Sequence, residues 1–212
     1  MHVGDAQLSA PVLAVGAAGA AIGIAQSLRR LDERAIPRIA LLSSAFFAIS
    51  LWHLPLPIPG TSIHLVLLGF MGILLGWDTF LAVGVVMIFQ SLLFGHGGVT
   101  TIGVNTLAMG LPGPILSGLF RPMIRSSQLR WVGIGGFLIG FGSVLVAALL
   151  IGTAYLASDR QFASFLPAYF LANTPLMVLE GMMTASATLF LARVRPETIG
   201  RDPLIPPPEG SA

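Results

Sequence analysis

Seven blocks of apolar residues follow one another along the chain, at about 7–28, 36–54, 62–76, 78–95, 105–124, 131–157 and 165–193. Most approach or exceed the ~20 residues that carry a helix across the hydrocarbon of a bilayer. The pattern predicts an all-α, polytopic membrane bundle of about seven transmembrane helices. The third block is short and ends at a turn around Trp77–Asp78, and GHGGVTTIGV joins the fourth to the fifth. A single transmembrane domain is expected over residues 1–195. The stretch 196–212, ending PLIPPPEGSA, reads as a Pro-rich, disordered tail that cannot build a core.

Composition sharpens this picture. Hydrophobic residues make up 55% of the 212 and charged residues 9%, against about 25% charged in soluble domains. All eleven basic residues are arginine. With no lysine for the phosphates, a P-loop ATPase is excluded. With no cysteine, disulfides and thiolate metal sites are excluded as well. The arginines are scattered over loops and form no basic stripe, so nucleic acid is not an expected partner; membrane lipid is. No Arg precedes Arg29, so the start of the chain lacks the charged region of a secretory signal, and Met1 is expected to remain as the first residue.

Charge also orients the bundle. Arg29, Arg30, Arg34 and Arg38 lie between the first two blocks, Arg121, Arg125 and Arg130 between the fifth and sixth, and Arg193, Arg195 and Arg201 after the seventh. Seven crossings put these three regions on one side, which the positive-inside rule makes cytoplasmic; only Arg160 falls opposite. The N-terminus is then outside and the C-terminus inside. All four histidines, His2, His53, His64 and His96, map to the outer face, and imidazoles gathered at a membrane mouth suit Ni, Cu, Co or Zn.

The opening MHVGD gives one of them a particular chemistry. A free α-amine, the amide nitrogen of residue 2 and the imidazole of residue 2 close consecutive chelate rings and can present three nitrogens in a plane. A second imidazole would complete a four-nitrogen square, the geometry of Ni(II) or Cu(II). The amine, with an ordinary pKa of about 7.7–8.0, yields its proton to a metal at little cost. On these five residues alone, an incidental histidine in a loose terminus is the simpler reading.

MHVGDAQLS, GTSIHL and SLLFGHGGVTTIGVNTLAMG, in that order, resemble the CbiM/NikM family, the substrate-binding membrane (S) components of energy-coupling-factor (ECF) transporters for cobalt and nickel. The resemblance spans roughly residues 1–190. It implies that the chain captures Ni(II) or Co(II) outside the bacterial or archaeal cell (inner) membrane and has no catalytic residues. It implies no cofactor beyond the transported ion. The implied partners are a transmembrane coupling (T) subunit, cytoplasmic ATPase subunits and a small accessory membrane subunit. Carried over residue by residue, Met1 gives its amine, His2 its amide and imidazole nitrogens, and His64 the fourth nitrogen. The chain departs from the family pattern at Ala6, where Gly is usual, at Gln7, where an aromatic is usual, at Ile63, and at Val66 and Leu67, where small residues are frequent.

Other residues have two readings each. His96, between glycines in FGHGG, either lines the pocket with Asn105 or sits on a solvated loop. Asp5 either hydrogen-bonds to the terminal loop or is solvated; Ser62, in GTS, joins Asp5, His96 and Asn105 as a residue around the pocket. His53 follows Trp52 and reads as an interfacial anchor. Glu180, central in the last block, is an ionisable group inside the membrane and functional by default. A buried hydrogen-bonding role is expected for it, with Thr184 one turn on as partner. Gly19/Gly23 and Gly136/Gly140 have the spacing that brings helices close, for internal packing or for docking another membrane protein.

Two other functions compete. A stand-alone divalent metal permease would need ionisable groups along its path, and only Glu180 offers one. An intramembrane Ser/His hydrolase would pair Ser62 with His64, but no GxSxG elbow and no HExxH is present.

Overall fold

The computed structural model describes residues 3–51, 53–55 and 62–200, of which 53–55 and 62–64 as backbone; Met1, His2 and the stretch 201–212 lie outside the described residues. Its helices are α1 (Ala10–Arg30), α2 (Ile36–Ser50), α3 (Leu68–Leu75), α4 (Thr79–Phe94), α5 (Ile102–Gly110), α6 (Pro112–Leu119), α7 (Arg121–Ile124), α8 (Leu129–Ser158) and α9 (Leu166–Val194). Between α2 and α3 lie two short strands, β1 (His53–Pro55) and β2 (Ser62–His64), paired antiparallel. Proline marks many of the starts: α1, α2, α6, α7 and α9 each carry one in the first turn. There the missing N–H has no intrahelical partner to lose and the fixed φ is already helical.

Each apolar block carries helix, in unequal amounts. Five stretches are long and apolar enough to span a bilayer: Ala10–Arg30, Leu68–Phe94, Ile102–Leu119, Leu129–Ser158 and Leu166–Val194. The second block gives the 15-residue α2, about 22 Å long at 1.5 Å per residue. The third block differs most from the sequence pattern. It is helical only over the eight residues of α3, about 12 Å, because Ser62–His64 pair with β1 and Leu67 turns through a left-handed conformation (φ 51°).

Leu68–Phe94 is not one straight rod. Gly72 lies against the backbone of Gly113, and the Ser117 hydroxyl donates to the Gly72 carbonyl at 3.0 Å, so α3 runs alongside α6. Phe80 lies against Gly110, and Gly84 beside Thr106, so α4 runs back alongside α5 in the opposite sense. The reversal is made at Gly76, whose φ of 55° favours glycine.

Close helix approach holds the bundle together. A Cβ on Gly103 would come 2.5 Å from the Ala17 backbone, and one on Gly136 would come 2.9 Å from the Cα of Ala185. Gly19 meets Leu107, Gly23 meets the Phe80 ring, and Gly140 meets Thr184. Both glycine pairs singled out in the sequence are therefore used in internal packing. Over these contacts Val66, Leu68 and Met71 of the α3 arm pack with Phe46, Val83 and Met109.

The two ends of the bundle differ in character. At one end the Ser27 hydroxyl bonds Asp78 at 2.7 Å, close to Arg29 and Arg30, and Arg125 lies against Gly200. Pro196–Ile199 forms a 3-10 turn there, and Ile199 is buried with Ile124, Val132 and Ile139. Residues 196–200, read from sequence as the start of the tail, are thus packed against the bundle. At the other end, Ser9 meets Ser158 and the loop after α4 meets Asp5.

Candidate metal site

The start of the described chain is locked into the bundle. Val3 is fully buried among Leu8, Val104, Ala108, Ile151 and Tyr155. Its N–H donates to Asn105 Oδ1 at 3.0 Å, and its carbonyl accepts from Asn105 Nδ2 at 3.0 Å. The Asn105 side chain thus pairs with Val3 as one peptide unit pairs with another, satisfying both backbone groups that burial has cut off from water. The carbonyl takes a second bond from Thr101 Oγ1 at 2.8 Å, and that hydroxyl also accepts from Gly98 N–H at 3.0 Å. Thr101 and Asn105 stand four residues apart, so the first turn of α5 presents both to the same strand of chain.

Asp5 fastens the next residues. Its carboxylate accepts from the Thr100 hydroxyl, from Thr100 N–H at 2.9 Å and from Val99 N–H at 3.2 Å. The Thr100 hydroxyl first, and the two amides with it, hold the carboxyl below its ordinary range despite some desolvation. Of the two readings of Asp5, hydrogen bonding is the one observed, and its partner is the loop before α5. Gln7, where the resembled family has an aromatic, accepts from Gly4 N–H at 3.0 Å and from the Tyr155 hydroxyl at 2.8 Å. A polar tie to α8 thus stands in for aromatic packing.

Ala6 adopts φ 63°, the left-handed region where a Cβ costs about 1–2 kcal/mol. This explains why the resembled pattern has Gly at this place. Ala6→Gly is expected to stabilise the protein by about 0.5–1 kcal/mol, since glycine's extra freedom in the unfolded chain offsets part of the relief. Thermal unfolding in detergent checks it; an unchanged or lower midpoint would show that the turn carries no such strain.

The second arm of the candidate site is the β1–β2 hairpin. His64 is the Cα partner of His53 across the ladder, with Leu54 opposite Ile63 and Pro55 opposite Ser62. His53, read from sequence as an anchor at the membrane interface, therefore stands directly opposite His64. Ser62 and His64 are the two ends of one short strand. Just beyond β2, Glu180 Oε1 accepts from the Val66 and Leu67 N–H groups, the latter at 2.7 Å. The buried hydrogen-bonding role expected of Glu180 is present, but its partners are these amides. Thr184 Oγ1 has no hydrogen-bond partner among the described residues.

His96 lies half-buried in the loop after α4, its ring stacked on Phe94 at 6.2 Å and its backbone N–H donating to the Gln90 carbonyl. The proposed ligands Met1 and His2 precede Val3 and lie outside the described residues. Among the described residues no three His, Asp or Glu side chains gather as a metal cluster. What the fold brings together is the N-terminal segment 3–7, the loop 98–101 and the head of α5. Thr101 was not singled out from sequence; its place four residues before Asn105 was the available signal.

Residues 2–198 match the family model CbiM, described as the cobalt uptake substrate-specific transmembrane region. The chain is 34% identical over 184 residues to the cobalt transport protein CbiM of Sorangium cellulosum, covering 82% of this chain and 81% of that one. It is 29% identical over 224 residues to the fused nickel transport protein NikMN of Rhodobacter capsulatus, covering 94% of this chain and 64% of that one. The crystal structure of a truncated transition metal transporter shares its fold, with a TM-score of 0.69 at 23% identity over 93% of this chain and 99% of that one. A multi-pass helical membrane bundle, matched to the family over nearly its whole length, makes this chain a member of the CbiM family and a cobalt/nickel uptake component of a metal transporter.

Proposed function

We propose that the chain is the substrate-capturing membrane subunit of an ECF-type importer for Ni(II) or Co(II), with the ion held by the Met1 amine, the His2 amide and imidazole nitrogens, and the His64 imidazole. The observation that carries this reading is the latch on Val3. A protein spends two side chains, Asn105 and Thr101, on pairing both backbone groups of its third residue deep in the bundle. The two residues joined directly to that anchor are the ones whose nitrogens form consecutive chelate rings. An incidental terminus would have no reason to be held this way, since chain ends ordinarily fray.

The arginine-rich end of the bundle faces the cytoplasm in this reading, which leaves Val3, Asp5 and the hairpin at the outer end of a bacterial or archaeal inner membrane. ATP hydrolysis belongs to separate cytoplasmic ATPase subunits, joined through a transmembrane coupling (T) subunit, because this chain has no lysine for a P-loop. A small accessory membrane subunit completes the set. The Rhodobacter relative is named as a fusion, and this chain covers 64% of it, leaving length there for a further component.

Calorimetric titration of the purified chain with Ni(II) and with Co(II) tests the ligand set. Acetylation of the N-terminus, insertion of one residue between Met1 and His2, and His64→Ala should each abolish tight binding. Each removes a nitrogen or displaces it from the plane. If the acetylated chain binds as tightly as the free amine, the terminus is not a ligand and the proposed site is wrong.

A further inference from the structure

Glu180 stands fourteen residues from each end of α9 (Leu166–Val194) and is wholly buried. A carboxyl group at that depth is expensive, so it must be engaged by something that needs it. Its Oε1 accepts two consecutive backbone N–H groups, from Val66 and Leu67. Those amides stand at the entrance to α3, where Met71 N–H donates to the Leu67 carbonyl to open the helix. The first N–H groups of any helix lack intrahelical partners. A cap is ordinarily supplied by a local Ser, Thr, Asp or Asn, but Leu67 is the residue at that position and makes no side-chain capping bond. Glu180 instead takes the N–H of the N-cap residue Leu67, 113 residues away in sequence, and that of Val66 just before it, and so fixes the backbone that leads into the first turn. A carboxylate there also faces the positive end of the α3 dipole.

This bond lies next to the hairpin. Only Leu65 separates His64 from Val66, and Val66 is buried against Phe46, Met71 and Val83. The backbone carrying His64 is thus fixed on one side by pairing with His53 and on the other by Glu180. Without that acceptor, two amides would stay buried and unpaired, and Leu67 would have little reason to keep a left-handed φ of 51°. We infer that Glu180 is the positioning residue of the His64 arm: it holds the end of β2 at the place where the imidazole meets the metal, and makes no contact with the ion itself. The metal consequence rests on the ligand set proposed above; the anchor does not.

Two substitutions in the full-length protein, reconstituted in detergent or nanodiscs, separate the possibilities. Glu180→Met keeps the volume and suits the membrane but removes the acceptor. Glu180→Gln keeps one acceptor oxygen, and Oε2 makes no hydrogen bond among the described residues, so both amide bonds survive. Hydrogen exchange at Val66 and Leu67 is read alongside calorimetric affinity for Ni(II) and Co(II). In Glu180→Met, exchange at both amides should accelerate at least about tenfold and metal affinity should fall about 10–100-fold, the range for residues that orient ligands. Glu180→Gln should keep both near native values. The anchor is overturned if the amides in Glu180→Met stay as protected as in the native chain. Native affinity despite freed amides overturns the positioning role, as does a Gln variant that binds poorly with its amides still protected, which would assign the effect to charge. If Glu180→Met does not fold, Glu180→Ala, which also removes the acceptor, is read by the same two measurements and decides. If the native chain binds neither ion, the ligand set falls and the metal consequence with it, while the exchange comparison still decides the anchor.

Discussion

Replacing Asn105 by Ala is expected to lower Ni(II) and Co(II) affinity by roughly 10–100-fold, while the rest of the bundle remains folded. The native amide supplies the acceptor for Val3 N–H and one of two donors to Val3 C=O. After the substitution Thr101 Oγ1 still reaches the carbonyl at 2.8 Å, but the N–H has no partner in a site with no solvent access. An orphaned buried donor costs about 1–3 kcal/mol, and each 1.4 kcal/mol is a factor of ten in affinity when binding must first restore the lost geometry. Asn105→Asp should do no better. It keeps the acceptor for the N–H but turns an oxygen toward the Val3 carbonyl, where the native chain has an NH2. Asn173→Ala is the matched control, because among the described residues that side chain bonds the Tyr169 carbonyl of its own helix and no other group. Calorimetry on the three variants checks the expectation. Native affinity in Asn105→Ala would show that the Val3 latch has no part in holding the ligands.

The helical blocks were legible because the signal that defines them, apolar length, is local; the prolines at the first turns, Pro11, Pro37 and Pro167, are a second local signal that went unread. The third block was not legible, because a short, mostly apolar run such as SIHLVLLGF reads alike as strand or buried helix. What decides that SIH is strand and LGFMGILL is helix is partly a carboxylate 113 residues further on, for which no neighbouring residue gives a sign. The place of His53 was hidden for a similar reason. Register across a ladder depends on the whole connection between the strands, so the pairing of His53 with His64 could not be read from WHLPLPIPG. Asn105 was flagged by a motif, but its partner was not, since a peptide-like pairing with Val3 appears only once α1 and α5 lie together. Asp5 is the intermediate case. Its two readings were equal on sequence, and the amides of Val99 and Thr100 separate them.

Gly140→Val should be strongly damaging to the helical part of the molecule. At this crossing α3, α8 and α9 touch by backbone: a Cβ on Gly140 would meet the Glu180 carbonyl and come 2.6 Å from Thr184 Oγ1 and 2.8 Å from Thr184 Cβ. From the other side, a Cβ on Gly69 would come 2.7 Å from the Gly140 Cα. Neither neighbour is the free end of a flexible side chain, so the helices themselves must separate. Overpacking in a well-filled core costs about 1–3 kcal/mol, and more where backbone has to move. The separation would also carry α9 away from α3 and draw Glu180 off the Val66 and Leu67 amides. Damage should therefore reach the His64 arm even in molecules that still fold. Gly133→Val is the control on α8 and α9, since the atoms nearest its Cβ are those of the Leu189 side chain, at 3.2 Å or more, and a leucine end can turn aside. Thermal unfolding in detergent should show a large loss for Gly140→Val and a small one for Gly133→Val. Equal midpoints for the two would mean that the α3–α8–α9 crossing is looser than its backbone contacts indicate.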